Sequence, residues 1–194
     1  MNGIFGGTLE ELRKSLESID PSEFGCLVDD CVSALGRGGK VVVTGLGKNV
    51  PICEKFVGTM WSLGLNAAFV HTNTAVHGDL GVIRDSDVVI MLTKSGETCE
   101  SIYLLEYIKK KRALDWALTF KRGSTVERMA TRSLVVELES EGDPWNIIPN
   151  NSTTINLIVL QNLAISICYI MGITLDMFKE NHPGGHIGVQ LRDA

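Results

Sequence analysis

Five short apolar runs, at 40–44, 65–70, 87–92, 114–119 and 134–138, alternate with helical stretches at 49–63, 97–111 and 124–131. This alternation constrains the fold more than any other feature. A strand that is apolar along its whole length must bury both faces, and a strand followed by a helix returns to the sheet in parallel. The pattern therefore predicts a doubly wound α/β fold: a five-stranded parallel sheet with helices on both faces. Two helices precede it. Leu9, Leu12 and Leu16 recur at helical spacing between Thr8 and Ile19, and Asp20-Pro21-Ser22 ends that helix and caps a second one reaching Leu35. At 194 residues with 44% hydrophobic content, the chain suffices for one domain, with leading helices over 1–38 and an α/β core over 39–194.

In such sheets ligands sit beyond the carboxyl ends of the strands, so each loop after a strand is a candidate site wall. VVVTGLGKNVP, 41–51, runs from the first strand into Gly45-Leu46-Gly47 and Lys48, a loop whose backbone can approach an anion. It is neither of two familiar phosphate loops. A dinucleotide fingerprint needs glycine at Val50, and a Walker A loop needs glycine at Val42 and a hydroxyl at Asn49.

Thr93-Lys94-Ser95-Gly96-Glu97-Thr98 follows the third strand and opens a helix, and Ser152-Thr153-Thr154 opens another. Hydroxyls and free amides at a helix start suit a phosphate, and they suit ordinary capping equally well. His77 and His182 lie in glycine-flanked loops, where an imidazole can do chemistry or serve as a surface or turn residue. His71 and His186 read as surface or hydrogen-bonded turn residues. Glu100, one turn into a helix, and Glu141, three residues before Pro144, read as solvated charges on their own.

The net charge of −5 argues against a nucleic-acid partner or an anionic membrane, so any anionic ligand must be captured locally. Five cysteines without a C-x-x-C pair, after an N-terminus unlike a signal peptide, fit reduced thiols in a cytoplasm. The uncharged run 155–172 approaches bilayer-spanning length but carries Asn156, Gln161, Asn162 and Ser166, which makes it a buried or interface helix. Its apolar circumference predicts a homo-oligomer. The histidines and cysteines offer no pair at zinc-site spacing, so no metal is expected.

GKVVVTGLGKN, AVHGDLGVI, DVVIMLTKSGETCE, NNSTT and NHPGGHIG, in this order and spacing, resemble the sugar isomerase (SIS) domain, and most closely the catalytic domain of bacterial D-arabinose-5-phosphate isomerases. The resemblance runs from about Gly39 onward. It implies active-site roles for Lys48, His77, Glu100, Glu141 and His182. It also implies a substrate cradle of Gly47, Asn49, Thr93, Ser95, Gly96, Thr98 and Ser152-Thr153-Thr154. Two departures bear on the sugar: the family usually reads Gly-Lys-Ser-Gly at Gly47-Lys48-Asn49-Val50, and Ser-Asn-Ser-Gly-Glu at Thr93-Lys94-Ser95-Gly96-Glu97. Many relatives carry a C-terminal pair of CBS modules, and this sequence resembles the catalytic part without them.

The implied reaction interconverts an aldose phosphate and a ketose phosphate through an enediol, arabinose 5-phosphate and ribulose 5-phosphate in the first instance, with no cofactor. A neutral imidazole moves the carbon-bound proton, His182 before His77. Lys48 supplies charge at the carbonyl oxygen, pairs with the phosphate, or pairs with Glu141. Lys94 adds charge at the cradle or is a solvated loop lysine. Glu100 and Glu141 orient hydroxyls, shuttle the oxygen proton or open a ring. The resemblance further implies a cytoplasmic tetramer that feeds synthesis of Kdo, the eight-carbon sugar acid of lipopolysaccharide and capsule. Two alternatives stay open: a sugar-phosphate-binding regulatory domain, and an isomerase of another phosphosugar such as a hexulose 6-phosphate.

Overall fold

The computed structural model describes residues 2–192. Strands β1 (Val41–Gly45), β2 (Ala67–His71), β3 (Val88–Thr93), β4 (Leu114–Thr119) and β5 (Arg132–Val135) form one all-parallel sheet in the order β2-β1-β3-β4-β5. Around it lie α1 (Asn2–Glu17), α2 (Pro21–Gly36), α3 (Asn49–Ser62), α4 (Cys99–Lys110), α5 (Thr125–Met129), α6 (Asn151–Ile170), α7 (Leu175–Glu180) and α8 (Gly185–Arg192). Two short 3-10 turns, Ala75–His77 and Asp79–Val82, link β2 to β3. The five parallel strands and covering helices expected from the sequence are present.

Alternation along the strands feeds two cores. Val41, Val43, Ile90, Leu92 and Leu118 pack with buried residues of α2, α3 and α6, whereas Val42, Val89, Met91 and Ala117 pack with α4 and α5. Every residue of β1 and β3 is buried, the condition that makes their sequences nearly all apolar. On α6, Ile155, Val159, Leu163 and Ile167 form the inward stripe. Burying each of these side chains contributes about 1.5–3 kcal/mol relative to exposure. Among the described residues α6 is the one helix long and apolar enough to cross a bilayer, and here its inward stripe covers α1, α2 and α3. Its outer face leaves Ile165, Tyr169 and Ile170 exposed.

Several boundaries differ from expectation. Helix α1 starts at Asn2 instead of Thr8, through Gly3, Gly6 and Gly7, which are weak helix formers. β5 starts at Arg132, because edge residues Arg132 and Ser133 are only partly covered and need not be apolar. Helix α4 starts at Cys99, two residues late. The Glu97 amide instead donates to Ser95 Oγ at 3.2 Å, and the Glu97 carboxylate accepts the Thr125 amide at 2.9 Å.

Candidate active site

The chain leaves β1 toward β2 on one side and β3 toward β4 on the other, so the loops after β1 and β3 diverge and open a crevice at this topological switch. A cavity of about 320 Å³ occupies it, with Gly47, Lys48 and Asn49 on one wall, Thr93, Lys94, Ser95 and Thr98 on the second, and Ser152 and Thr153 on the third. The N-terminal ends of α3, α4 and α6 all reach this cavity. Their partial positive charges favour an anion in a chain that is acidic overall.

The two glycine turns fix the walls. Gly47 sits at φ +55° and turns the chain into Lys48, the N-cap residue of α3. The Lys48 side chain is exposed and has no ion pair among the described residues. Gly96 sits at φ +65°, and a Cβ there would lie 2.2 Å from Ser124 Oγ. Its amide donates to Thr93 Oγ1 at 3.1 Å, so the tight turn holds Thr93 in place. Gly96 supports the cavity without lining it. Thr98, the N-cap of α4, makes no cap bond through its hydroxyl, which leaves that donor for a ligand. Ser95 Oγ accepts from Glu97 N and keeps its own proton to donate.

The third wall is partly used within the protein. Asn150 N and Ser152 N both donate to Glu141 Oε2, at 3.0 and 2.9 Å, so the Glu141 carboxylate caps α6. Thr153 and Thr154 each donate a hydroxyl to Asn150 O at 2.9 Å, and Thr154 lies outside the cavity lining. Glu141 has a fully buried side chain, and its other oxygen lies 2.6 Å from Lys94 Nζ. Burial pushes its pKa up, but the Lys94 ammonium and the hydrogen bonds from Ser152 and Asn150 outweigh this, so the carboxyl is held below its ordinary value. Glu141 thus pairs with Lys94 rather than Lys48, and Lys94 is not simply solvated.

Three expected residues lie away from this cavity within one chain. His77 is exposed at the end of the first 3-10 turn. Glu100 lies on the outer face of α4 beside Cys99, Tyr103 and Glu106. His182 follows α7, and its neighbour Asn181 donates to Ser62 O at 3.4 Å, at the far end of α3. The 14 residues of α3 separate that point from Lys48 by about 20 Å. His182 Nδ1 lies 2.8 Å from Phe178 O, with the ring stacked on Phe178. A carbonyl only accepts, so Nδ1 carries the proton and the lone pair is on Nε2.

The cavity also contains residues that the sequence did not assign to a site. Asn156, one turn after Ser152 and 1% exposed, donates through Nδ2 to Asn49 Oδ1 at 3.0 Å, and its own Oδ1 is buried without a partner. Ser101 lines it three residues after Thr98. Both follow from helical spacing, i+4 and i+3, from residues already implicated. Among the described residues no group of three or more His, Cys, Asp or Glu side chains is placed to hold a metal ion.

Comparison with known proteins agrees with this architecture. Arabinose 5-phosphate isomerase KdsD of Pseudomonas aeruginosa is 36% identical over 164 residues, 84% of this chain and 50% of that protein. This chain spans about half the length of the curated relatives it matches. An Escherichia coli CFT073 protein solved in complex with arabinose 5-phosphate superposes with a TM-score of 0.85 at 31% identity, covering 93% of this chain and 94% of that one. The Vibrio vulnificus NanR protein, solved with ManNAc-6P, shares the fold alone: TM-score 0.74, 15% identity, 93% of this chain and 64% of that one. The SIS domain profile matches residues 35–166, more than half of the chain, and the protein belongs to the SIS domain family.

Proposed function

We propose that the protein is an aldose-ketose isomerase of a phosphosugar, with arabinose 5-phosphate and ribulose 5-phosphate as its substrate pair. The observation that carries this reading is the switch-point cavity, where three helix N-termini and the Lys48 and Lys94 side chains meet. The identity to KdsD and the likeness to the arabinose 5-phosphate complex support the choice of sugar.

The phosphate does not react, so its binding orients the reacting carbons. A base removes the proton from the carbon beside the carbonyl and returns it to the neighbouring carbon, while a proton moves between the two oxygens through an enediol. Lys48, without a carboxylate partner among the described residues, stabilises charge on the carbonyl oxygen. His182 is the base, and the bond from its Nδ1 to Phe178 leaves Nε2 free to take the proton. Because His182 lies about 20 Å from Lys48 within one chain, we propose that a second copy delivers it. The exposed apolar face of α6 offers a surface for such assembly into a tetramer. The enzyme would work in the cytoplasm and feed Kdo synthesis.

One observation favours a regulatory reading. Within one chain the cavity is lined by most of the expected cradle residues but by neither histidine nor Glu100, and a cradle is all a sugar-phosphate sensor needs. A coupled assay across aldose and ketose phosphates separates the two. Turnover of arabinose 5-phosphate supports the isomerase, turnover of another phosphosugar alone, such as a hexulose 6-phosphate, reassigns the substrate, and tight binding of one without turnover of any supports the sensor.

A further inference from the structure

Glu141 and Lys94 come from different loops, 47 residues apart in sequence, and meet at 2.6 Å on the rim of the cavity. Their exposures are unequal. The Glu141 carboxylate is wholly buried and takes two α6 amides on one oxygen and the lysine on the other, so none of it faces the cavity. The Lys94 side chain is 43% exposed and lines the cavity beside Ser95, Thr98 and Ser152. The ammonium, an ion-pair partner of Glu141, has three donors. On this side the cavity is lined by Ser95 and Thr98 as well.

The same contacts occupy part of the third wall. Glu141 takes the Asn150 and Ser152 amides at the start of α6, and Thr153 spends its hydroxyl on Asn150 O. On the α4 side the Thr98 hydroxyl makes no cap bond and the Ser95 hydroxyl keeps its proton to donate, and Lys94 is the adjacent cation. Lys94 also ties its loop to two others: its carbonyl accepts from Phe120 N, just after β4, at 3.2 Å, while its ammonium reaches Glu141 after β5.

We propose that Lys94, anchored by the buried Glu141 carboxylate, is the cation that binds the substrate's phosphate, and that Glu141 serves the reaction through it as a positioning residue. This rests on the reading of the cavity as a phosphosugar site and adds which side chain holds the phosphate. It also separates two lysines by task, with Lys94 at the phosphate and Lys48 at the reacting end.

The test is calorimetric titration of the full chain with inorganic phosphate, which reads binding without requiring turnover. Lys94→Gln should weaken phosphate at least about tenfold, the loss expected for one charge-assisted hydrogen bond, and Lys94→Arg should retain affinity within about threefold. Glu141→Gln keeps an acceptor for the α6 amides but releases the lysine, and should weaken phosphate nearly as much as Lys94→Gln. If Lys94→Gln does not fold with a buried carboxylate left unpaired, the Lys94→Gln/Glu141→Gln double variant, which has no such charge, must show the same loss. Wild-type affinity in a folded Lys94→Gln or double variant overturns the assignment, as does wild-type protein that binds no phosphate. Wild-type affinity in Glu141→Gln overturns the anchoring. Turnover of a phosphosugar with phosphate affinity indifferent to Lys94 would sink this proposal and leave the isomerase reading standing. Lys94-dependent phosphate binding without any turnover would do the reverse.

Discussion

Gly96→Ala should destabilise the protein by about 2–5 kcal/mol, a figure with two independent sources. Gly96 has φ +65°, and an L side chain in that region costs roughly 1–2 kcal/mol. The new methyl would also stand 2.2 Å from Ser124 Oγ and 2.5 Å from Ser124 Cβ. Ser124 cannot give way freely, because it is 1% exposed and its hydroxyl accepts the Glu127 amide that starts α5. Displacing it adds an overpacking term of about 1–3 kcal/mol. For a chain of this size the sum lowers the melting temperature by roughly 4–20 °C. Gly58→Ala is the control: Gly58 is exposed inside α3, has nothing within 4 Å of a built Cβ, and should gain about 0.5–1 kcal/mol from reduced backbone freedom. Urea unfolding of both variants, with unchanged slopes, reads the difference directly. Gly96→Ala within about 0.5 kcal/mol of wild type would refute the claim that this turn is held by φ and by contact with Ser124.

Lys48→Ala should cut turnover by about 10²–10³-fold at an unchanged urea midpoint, since the side chain is exposed and makes no ion pair among the described residues. A folded variant with wild-type turnover would remove Lys48 from the chemistry. Glu141 has a folded-state pKa below its ordinary value of 4.5, so its contribution is complete above about pH 4.5 and is lost as pH falls through the lowered value. Stability profiled against pH should therefore fall less steeply on the acid side in Glu141→Gln than in wild type, and parallel profiles would contradict the pairing with Lys94. If a second copy delivers His182, inactive Lys48→Ala and His182→Asn chains refolded together should recover activity that neither has alone, in assemblies that light scattering finds larger than 21.1 kDa. Failure to recover any, in mixed oligomers, would return His182 to its own chain.

The strands were legible because β1, β3 and β4 are buried on both sides, and burial on both sides leaves no room for polar alternation. The N-terminal start of α1 was not, since three glycines hide a helix whose stability comes from Leu12 and Leu16 packing on the main core. In the site, Lys48, Thr93, Ser95 and Thr98 were legible from their places after strands in a parallel sheet. The Lys94–Glu141 pair was not, because no local pattern joins two loops that meet only after β3, β4 and β5 are laid side by side. Asn156 was read as a polar interruption that argued against a membrane span. Its position four residues after Ser152 was the unused sign that it shares the cavity face. His182 stood out in sequence for its glycines and proline, yet its distance from Lys48 depends on α7 packing at the far end of α3, a tertiary contact.

The most direct measurement follows protons at C1 of ribulose 5-phosphate in deuterated water by nuclear magnetic resonance, because an enediol exchanges one of them even when a later step is slow. Wild-type protein should wash deuterium into C1 as it forms arabinose 5-phosphate, and His182→Asn should slow that exchange by roughly 10²–10⁴-fold while phosphate binding persists. Exchange at the wild-type rate in His182→Asn, with loss in His77→Asn, would move the base to His77. Wild-type protein that binds the sugar phosphate but exchanges no proton would contradict the isomerase assignment itself.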